Sequence, residues 1–233
     1  MSQRAILEEL QKFSTALLAN TIDRIDLTPA YQWYMEREIR SVTPELGPTA
    51  GIALTCEMDT STPDGQPSIE GYYQQLEEMA QLKEPVVWVV KTVGSRPNHE
   101  CVMGDGMGKE LHTCGCVGVV TDGGVRDIGG LLPIPFAAYS KGITVHHCSI
   151  RVRSIGQAIE IGGITVRSGD LIHADSEGVI KIPSACIKDL AASARRMESF
   201  EHEAHELLQD TGLSAVERHQ RVGKLLPKYG FGK

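Results

Sequence analysis

The stretch GDGMGKELHTCGCVGVVTDGGVRD, residues 104–127, decides the fold of this chain. Residues 107–114 predict a short helix, and the apolar run at 117–120 predicts a buried strand. A glycine-rich turn lies at each end of this helix-plus-strand unit. If the two turns meet, they bring backbone N–H donors, the guanidinium of Arg126 and the carboxylates of Asp105 and Asp127 together. Those groups suit a hard divalent cation and a small anion.

The pattern outside this unit alternates between helix and strand. Apolar positions at helical spacing over 6–25 predict one or two helices, with Ser14 as a candidate cap. Residues 31–38 predict a further short helical stretch. Strands are predicted at 51–58 and 85–91, with a helix over 69–82 between them.

The C-terminal region, from residue 184 to about 226, predicts helices that are broken near Gly212 and Ser214. Neither a long linker nor an internal repeat separates parts of the chain, so we expect one α/β domain with helical ends. The predicted division is N-terminal helices at 1–38, an α/β core at 39–183 and C-terminal helices at 184–233.

Composition restricts the classes of partner. The 233 residues carry 23 basic and 30 acidic side chains, a net charge of -7, and 41% are hydrophobic. No basic run points to nucleic acid or to an anionic membrane. The N-terminal residues lack a signal-peptide pattern, and no apolar run approaches the ~20 residues that span a bilayer, so a cytoplasmic protein is expected.

Six cysteines occur in the chain, and without a secretion signal they are expected to be reduced thiols. His112, Cys114 and Cys116 resemble part of a zinc knuckle. However, the spacing differs from the usual Cys-x2-Cys pair and no second pair exists. Buried small hydrophobic side chains are the simpler interpretation.

The first glycine turn is a candidate anion site. A helix that begins at Met107 would present the amides of Gly106, Met107 and Gly108 to a carboxylate or phosphate. The turn matches neither a Walker loop nor a dinucleotide fingerprint. A tight strand-to-helix turn without a ligand remains the alternative interpretation.

The second turn follows a predicted strand, at the end where ligands of open α/β sheets usually bind. Arg126 offers a planar fork for a carboxylate or an enolate, and Asp127 offers oxygen ligands for Mg²⁺ or Mn²⁺. The alternative is an ordinary Arg–Asp surface pair, which contributes little. We favour the binding site because Asp105 and the first turn accompany the pair.

The block GCVGVVTDGGVRD at 115–127, together with Asp105 and the segment GGITVRSGDL at 162–171, resembles the signature of one superfamily. It includes the regulator-of-ribonuclease-activity-A proteins and the class II 4-hydroxy-4-methyl-2-oxoglutarate aldolases, which also act on 4-carboxy-4-hydroxy-2-oxoadipate. The resemblance covers about residues 39–183. It implies a swivelling β/β/α fold of the phosphohistidine-domain type, assembled as a homotrimer or hexamer with active sites between subunits.

The resemblance also implies roles for individual residues. The amides of Gly106 to Gly108 would hold a pyruvate carboxylate, and Arg126 would orient the substrate. Asp127 would ligate Mg²⁺ or Mn²⁺, and Asp105 would hold a metal-bound water. A carboxylate from a neighbouring subunit would complete the site. Glu198 is the best match for it, followed by Glu201, although a solvated helix face is the slightly favoured interpretation of both.

The implied reaction is cleavage of a carbon–carbon bond next to a 2-oxo acid, through a metal-stabilised enolate. Such a lyase would release pyruvate and would decarboxylate oxaloacetate as a side activity. Two alternatives remain open: a non-catalytic protein that binds and inhibits a ribonuclease, and a lyase or hydrolase that acts on another acidic metabolite.

Three further side chains, those of Lys109, His146 and His147, are not expected to act on the substrate directly. Lys109 is interpreted as a capping or surface residue. His146 and His147 are adjacent, so on a strand they would point to opposite faces, and structural or supporting roles are expected for them.

Overall fold

The computed structural model describes residues 2–147 and 149–232. Short helices and strands alternate through the middle of the chain, and helices form both ends. The helices are α1 Gln3–Leu10, α2 Thr15–Ile25, α3 Glu70–Gln81, α4 Asp105–Thr113, α5 Ile187–Gln209 and α6 Ala215–Leu225. The strands are β1 Arg40–Ser41, β2 Thr49–Asp59, β3 Val86–Thr92, β4 Cys101–Met103, β5 Cys116–Thr121, β6 Gly124–Val125, β7 Ala137–Ser140, β8 Gly142–Ile143, β9 Arg151–Ile155, β10 Ile159–Ile161, β11 Ile164–Val166, β12 Leu171–Asp175 and β13 Gly178–Ile182. The predicted α/β fold with helical terminal segments is confirmed.

The central sheet has the strand order β1-β7-β5-β3-β2-β12-β13, and β9 pairs with the far end of β2. Strands β2, β3, β5 and β7 are parallel to one another, whereas β1, β9, β12 and β13 pair antiparallel. β-Branched side chains dominate β3, where Val86 to Val90 are almost completely buried. This confirms the strands predicted at 51–58 and 85–91.

Helix α3 covers one face of this sheet, and a buried polar chain links the two. The indole of Trp88 is fully buried and donates to Gln75 Oε1 at 2.8 Å. Gln75 Nε2 in turn donates to the carbonyl of Thr55 at 2.9 Å. The buried N–H groups of Trp88 and Gln75 thus have acceptors, and these hydrogen bonds offset the cost of removing the groups from water.

The N-terminal helices follow the predicted pattern. Ser14 caps α2 by accepting a hydrogen bond from the amide of Leu17, and Leu7, Leu10 and Leu18 are fully buried. The helical stretch predicted at 31–38 is wrong beyond a single 3-10 turn at Ala30–Gln32. Residues 33–35 instead run beside β13, where their backbone exchanges hydrogen bonds with Val179 and Lys181.

The C-terminal helices break where the sequence predicted, and Ser214 with Glu217 forms a capping box at the start of α6. Helix α5 packs against α1, α2 and α6. Within residues 2–147 and 149–232, no helix combines the length and the apolar character needed to cross a membrane. The five described cysteines are free thiols, whereas Cys148 lies outside the described residues.

Candidate active site

A small parallel sheet brings the two glycine turns together. Its strand order is β4-β6-β8, with Cys101 opposite Gly124 and Met103 opposite Val125. The amide of Arg126 donates to the carbonyl of Met103 at 3.0 Å. Asp105 and the Arg126–Asp127 pair therefore follow the carboxyl ends of neighbouring parallel strands, β4 and β6. The predicted meeting of the two loops is present in the structure.

Gly104 lies at a close approach between the two loops. A Cβ atom at this position would lie 2.8 Å from Asp127 Oδ2 and 3.0 Å from Arg126 Nε. Both distances are shorter than an ordinary van der Waals contact. The glycine at the start of the first turn thus makes room for the functional side chains of the second turn.

The helix after the first turn begins at Asp105, two residues earlier than predicted. Consequently the amide of Gly108 donates to the carbonyl of Gly104 at 3.1 Å and is not a free donor, which corrects the expectation for that residue. The Cα of Gly108 instead faces the apolar side chains of Leu131 and Met103. The amides without an acceptor inside the helix are those of Asp105, Gly106 and Met107.

Arg126 and Asp127 form an ion pair, with 3.2 Å between Arg126 Nε and Asp127 Oδ2. Both side chains remain partly exposed, 30% and 46% respectively. The Arg–Asp pair that the sequence analysis gave as the alternative to a binding site is therefore present, but both of its side chains line a cavity. Asp127 also adopts a left-handed backbone conformation with φ of 55°, which costs about 1 kcal/mol or more for a residue with a side chain. Strain of this kind accumulates at functional sites.

Asp105 lies at the N-terminus of α4, and Lys109 holds its carboxylate. Lys109 Nζ is 2.5 Å from Asp105 Oδ2, one helical turn away. This hydrogen bond lowers the pKa of the Asp105 carboxyl, and the nearby charge of Arg126 lowers it further. The interpretation of Lys109 as a capping or surface residue is incomplete, because the lysine keeps Asp105 charged and oriented.

These groups line one cavity of about 350 Å³. Its charged side is formed by Asp105, Arg126 and Asp127 together with the backbone of Gly104 to Met107. The remaining lining residues are Cys101, Val102, Met103, His147 and Ile150. The cavity thus joins a polar end, which suits a small acid, to a mainly apolar end.

His147 was missed as a site residue. Residues 144–147 do not form a strand, so the opposite-face prediction for His146 and His147 is wrong. Their rings stack with 5.2 Å between centroids and 26° between planes. His147 then borders the cavity. No periodicity could reveal this, because the segment has no regular structure.

Glu198 is not brought to this cavity within one chain. It is exposed on α5, which packs against the other terminal helices, and it does not line the cavity. Glu201, the second candidate for this role, accepts a hydrogen bond from Asn20 Nδ2 at 2.9 Å. A role for Glu198 in a second subunit's site stays a prediction.

The carboxylates of Asp127 and Asp105 are the groups in the cavity that could hold a divalent cation. Among the described residues, no three or more His, Cys, Asp or Glu side chains are grouped to enclose a metal. Mg²⁺ is commonly bound by one or two carboxylates, with water and substrate oxygens as its other ligands. The donor set of the cavity fits that mode of binding and not an all-protein metal cage.

Another cavity, of about 370 Å³, lies between α2 and β13. Its charged lining residues are Asp23 and Glu177, and the rest of its wall is mostly apolar. It offers no cation for an acid and is not the candidate site.

The sequence profile of the RraA-like family, described as Aldolase/RraA, matches residues 19–181. The chain belongs to this family. The matched range contains both glycine turns and every predicted site residue except Glu198. A curated relative from Halalkalibacterium halodurans, provisionally named 4-hydroxy-4-methyl-2-oxoglutarate aldolase, is 29% identical over 106 residues, which are 45% of this chain and 49% of that protein.

Solved structures support the RraA-like fold. A structure described as novel cellulases from gut-associated microbes has a TM-score of 0.72 at 19% identity and covers 87% of this chain and 88% of its own. Streptomyces coelicolor RraAS2, described as an unusual member of the RNase ES inhibitor RraA family, has a TM-score of 0.67 at 20% identity, covering 88% and 97%. The chain spans about half the length of the curated relatives that it matches. Likeness at these identities shows the fold alone.

Proposed function

We propose that this protein is a divalent-metal-dependent lyase that cleaves a carbon–carbon bond next to a 2-oxo acid. The specific activity proposed is a pyruvate-releasing aldolase of the 4-hydroxy-4-methyl-2-oxoglutarate type, with oxaloacetate decarboxylation as a side activity. The observation that carries the proposal is the convergence of Asp105, Arg126, Asp127 and the first-turn amides on one cavity. Membership of a family that includes aldolases agrees with it.

The polar end of the cavity has two kinds of group for a 2-oxo acid. The amide of Met107, at the positive end of α4, is a donor for the substrate carboxylate, and the amide of Gly106, which also faces the Asp105 carboxylate, is a second one. Arg126 provides a fixed cation where negative charge develops on the 2-oxo oxygen during bond cleavage. Loss of one such contact typically costs about 3–4 kcal/mol of barrier.

Asp127 is the proposed ligand of Mg²⁺ or Mn²⁺, and Asp105 is the carboxylate that orients water beside it. When bound, the cation supplies Lewis-acid stabilisation of the negative charge that forms when the bond breaks. Arg126 holds the carboxylate of Asp127 in place through their ion pair. Lys109 holds the carboxylate of Asp105 through a second ion pair.

Pyruvate release, coupled to NADH oxidation by lactate dehydrogenase, tests the proposal. Turnover should require Mg²⁺ or Mn²⁺ and should stop on addition of a chelator. Asp127→Asn should reduce kcat/KM at least 100-fold, because the cation that stabilises the transition-state charge would lose its carboxylate ligand.

Asp64→Asn is a matched control because Asp64 has nearly the same left-handed φ, 58° against 55°, but lies outside the cavity. Asparagine tolerates this conformation in both places. Turnover without metal, or an Asp127→Asn variant as active as the control, would reject the lyase. A non-catalytic ribonuclease binder would give no turnover in any arm.

We further propose that the protein assembles as a homotrimer or hexamer. In such an assembly Glu198, which lies away from the cavity of its own chain, would contribute to the site of a neighbouring subunit. A small 2-oxo acid is the proposed ligand, and no nucleic acid or membrane partner is proposed. Light scattering coupled to gel filtration measures the assembly directly.

A further inference from the structure

Each of the three strands of the small sheet is followed in the chain by a segment that lines the cavity. Strand β4 leads to Asp105, and β6 leads to Arg126 and Asp127. Strand β8 runs parallel to β6, and the amide of Thr144 continues the pairing by donating to the carbonyl of Val125 at 2.9 Å. The chain beyond this strand reaches the same cavity through His147. All three segments therefore follow the carboxyl ends of parallel strands, where ligands of such sheets usually lie.

The cavity residues that do not bind the 2-oxo acid unit are mostly apolar. Cys101, Val102 and Met103 are buried and form the floor. Met107 and Ile150 provide partly exposed apolar side chains. Within the described lining, His147 is the remaining side chain that carries nitrogen or oxygen atoms.

We propose that His147 is a specificity residue that binds the half of the substrate released as the carbonyl product. In this arrangement the imidazole hydrogen-bonds to the hydroxyl oxygen on the carbon beyond the scissile bond, and the hydroxyl proton passes to a water molecule when the carbon–carbon bond breaks. Met107 and Ile150 contact the carbon chain of that half. The inference rests on the proposed lyase function and adds a contact to it. It requires no change in the groups that bind the 2-oxo acid unit.

The proposal separates two reactions of the same site. Cleavage of 4-hydroxy-4-methyl-2-oxoglutarate uses the whole cavity. Exchange of the methyl protons of pyruvate with deuterium uses only the 2-oxo acid unit: a C–H bond breaks, the proton passes to solvent and a deuteron returns. A residue that binds the released half affects the first reaction and not the second.

His147→Leu is the informative variant, and His147→Gln is its conservative counterpart because the amide keeps a donor and an acceptor. His147 is exposed in a segment without regular structure, so both variants should fold with an unchanged melting temperature. His112→Leu, an equally exposed histidine on α4 outside the cavity, is the matched control.

His147→Leu should lower kcat/KM for aldol cleavage about tenfold, the loss expected for one hydrogen bond to substrate. Its rate of pyruvate deuterium exchange and its calorimetric Kd for pyruvate with Mg²⁺ should match those of the wild type and the His112→Leu control. His147→Gln should retain most of the cleavage activity.

Equal losses in both reactions would overturn the inference, because they indicate a general structural effect. Unchanged cleavage by His147→Leu would overturn it as well. A wild-type protein that neither cleaves the substrate nor exchanges pyruvate protons would instead reject the lyase function, and the inference with it.

Discussion

Replacement of Gly104 by alanine tests a close contact between the two loops. The backbone of Gly104 is extended, with φ of -120° and ψ of -170°, so alanine can adopt it without strain. The added Cβ would lie 2.8 Å from Asp127 Oδ2 and 3.0 Å from Arg126 Nε. Ordinary contacts of this kind are about 3.5 Å, so the two side chains must move by roughly 0.5 to 0.7 Å.

The expected effect on activity follows from that displacement. Misplacement of catalytic groups by about 1 Å can cost roughly 100-fold, so half that distance should cost on the order of tenfold in kcat/KM. Stability should stay within about 1 kcal/mol of wild type, because alanine also reduces the entropy of the unfolded chain. The assay is metal-supported pyruvate release, measured beside a thermal melt.

Gly142→Ala is the matched control for this variant. Gly142 lies in β8 of the same small sheet, its φ is not positive, and a Cβ there would meet no atom within 4 Å. Full activity of Gly104→Ala would refute the reasoning, because the functional side chains would then not depend on their approach to the first turn. A loss of activity that tracks a loss of melting temperature would refute it too.

The remaining predictions concern Lys109, His173 and the pair Asp127 and Glu198. Lys109→Met should lower kcat severalfold with little change in KM, because Asp105 loses the cation that orients it; steady-state kinetics at saturating metal measures this. Burial lowers the pKa of His173 to about 4, so protonation favours the unfolded chain, and the free energy of unfolding should fall by ~3 kcal/mol as pH drops from about 6.5 to 4. Urea unfolding of wild type and His173→Gln checks this, and equal pH dependence of the two proteins would contradict it. Co-assembly of two inactive variants, Asp127→Asn and Glu198→Gln, should restore part of the activity if sites are shared between subunits; mixtures that stay inactive would place Glu198 outside the site.

The meeting of the two glycine turns could be predicted because it rests on a strong motif. The apolar run before Arg126 and the glycines around Asp105 indicate strand and turn without tertiary information. The predicted helix start lies two residues too late, because Asp105 occupies the first position of α4 and does not belong to the turn. That small shift moved the free amides from Gly106–Gly108 to positions 105–107.

The small sheet could not be predicted in the same way. Strands β4, β6 and β8 have three, two and two residues, too few for any periodicity, and they exist because each pairs with its neighbour. His147 depends on this sheet for its place in the cavity. The pairing of Lys109 with Asp105 follows from i, i+4 spacing, but only once the helix is known to begin at Asp105.

A crystal of the protein soaked with Mn²⁺ and pyruvate would show whether the two turns bind one cation and one small acid. We expect one Mn²⁺ within about 2.2 Å of an Asp127 carboxylate oxygen, in the range of oxygen-ligand distances. We also expect a single pyruvate molecule to contact both Arg126 and the amides of Gly106 and Met107. Pyruvate or Mn²⁺ bound elsewhere, with these loops unoccupied at saturating concentrations, would contradict the proposed site.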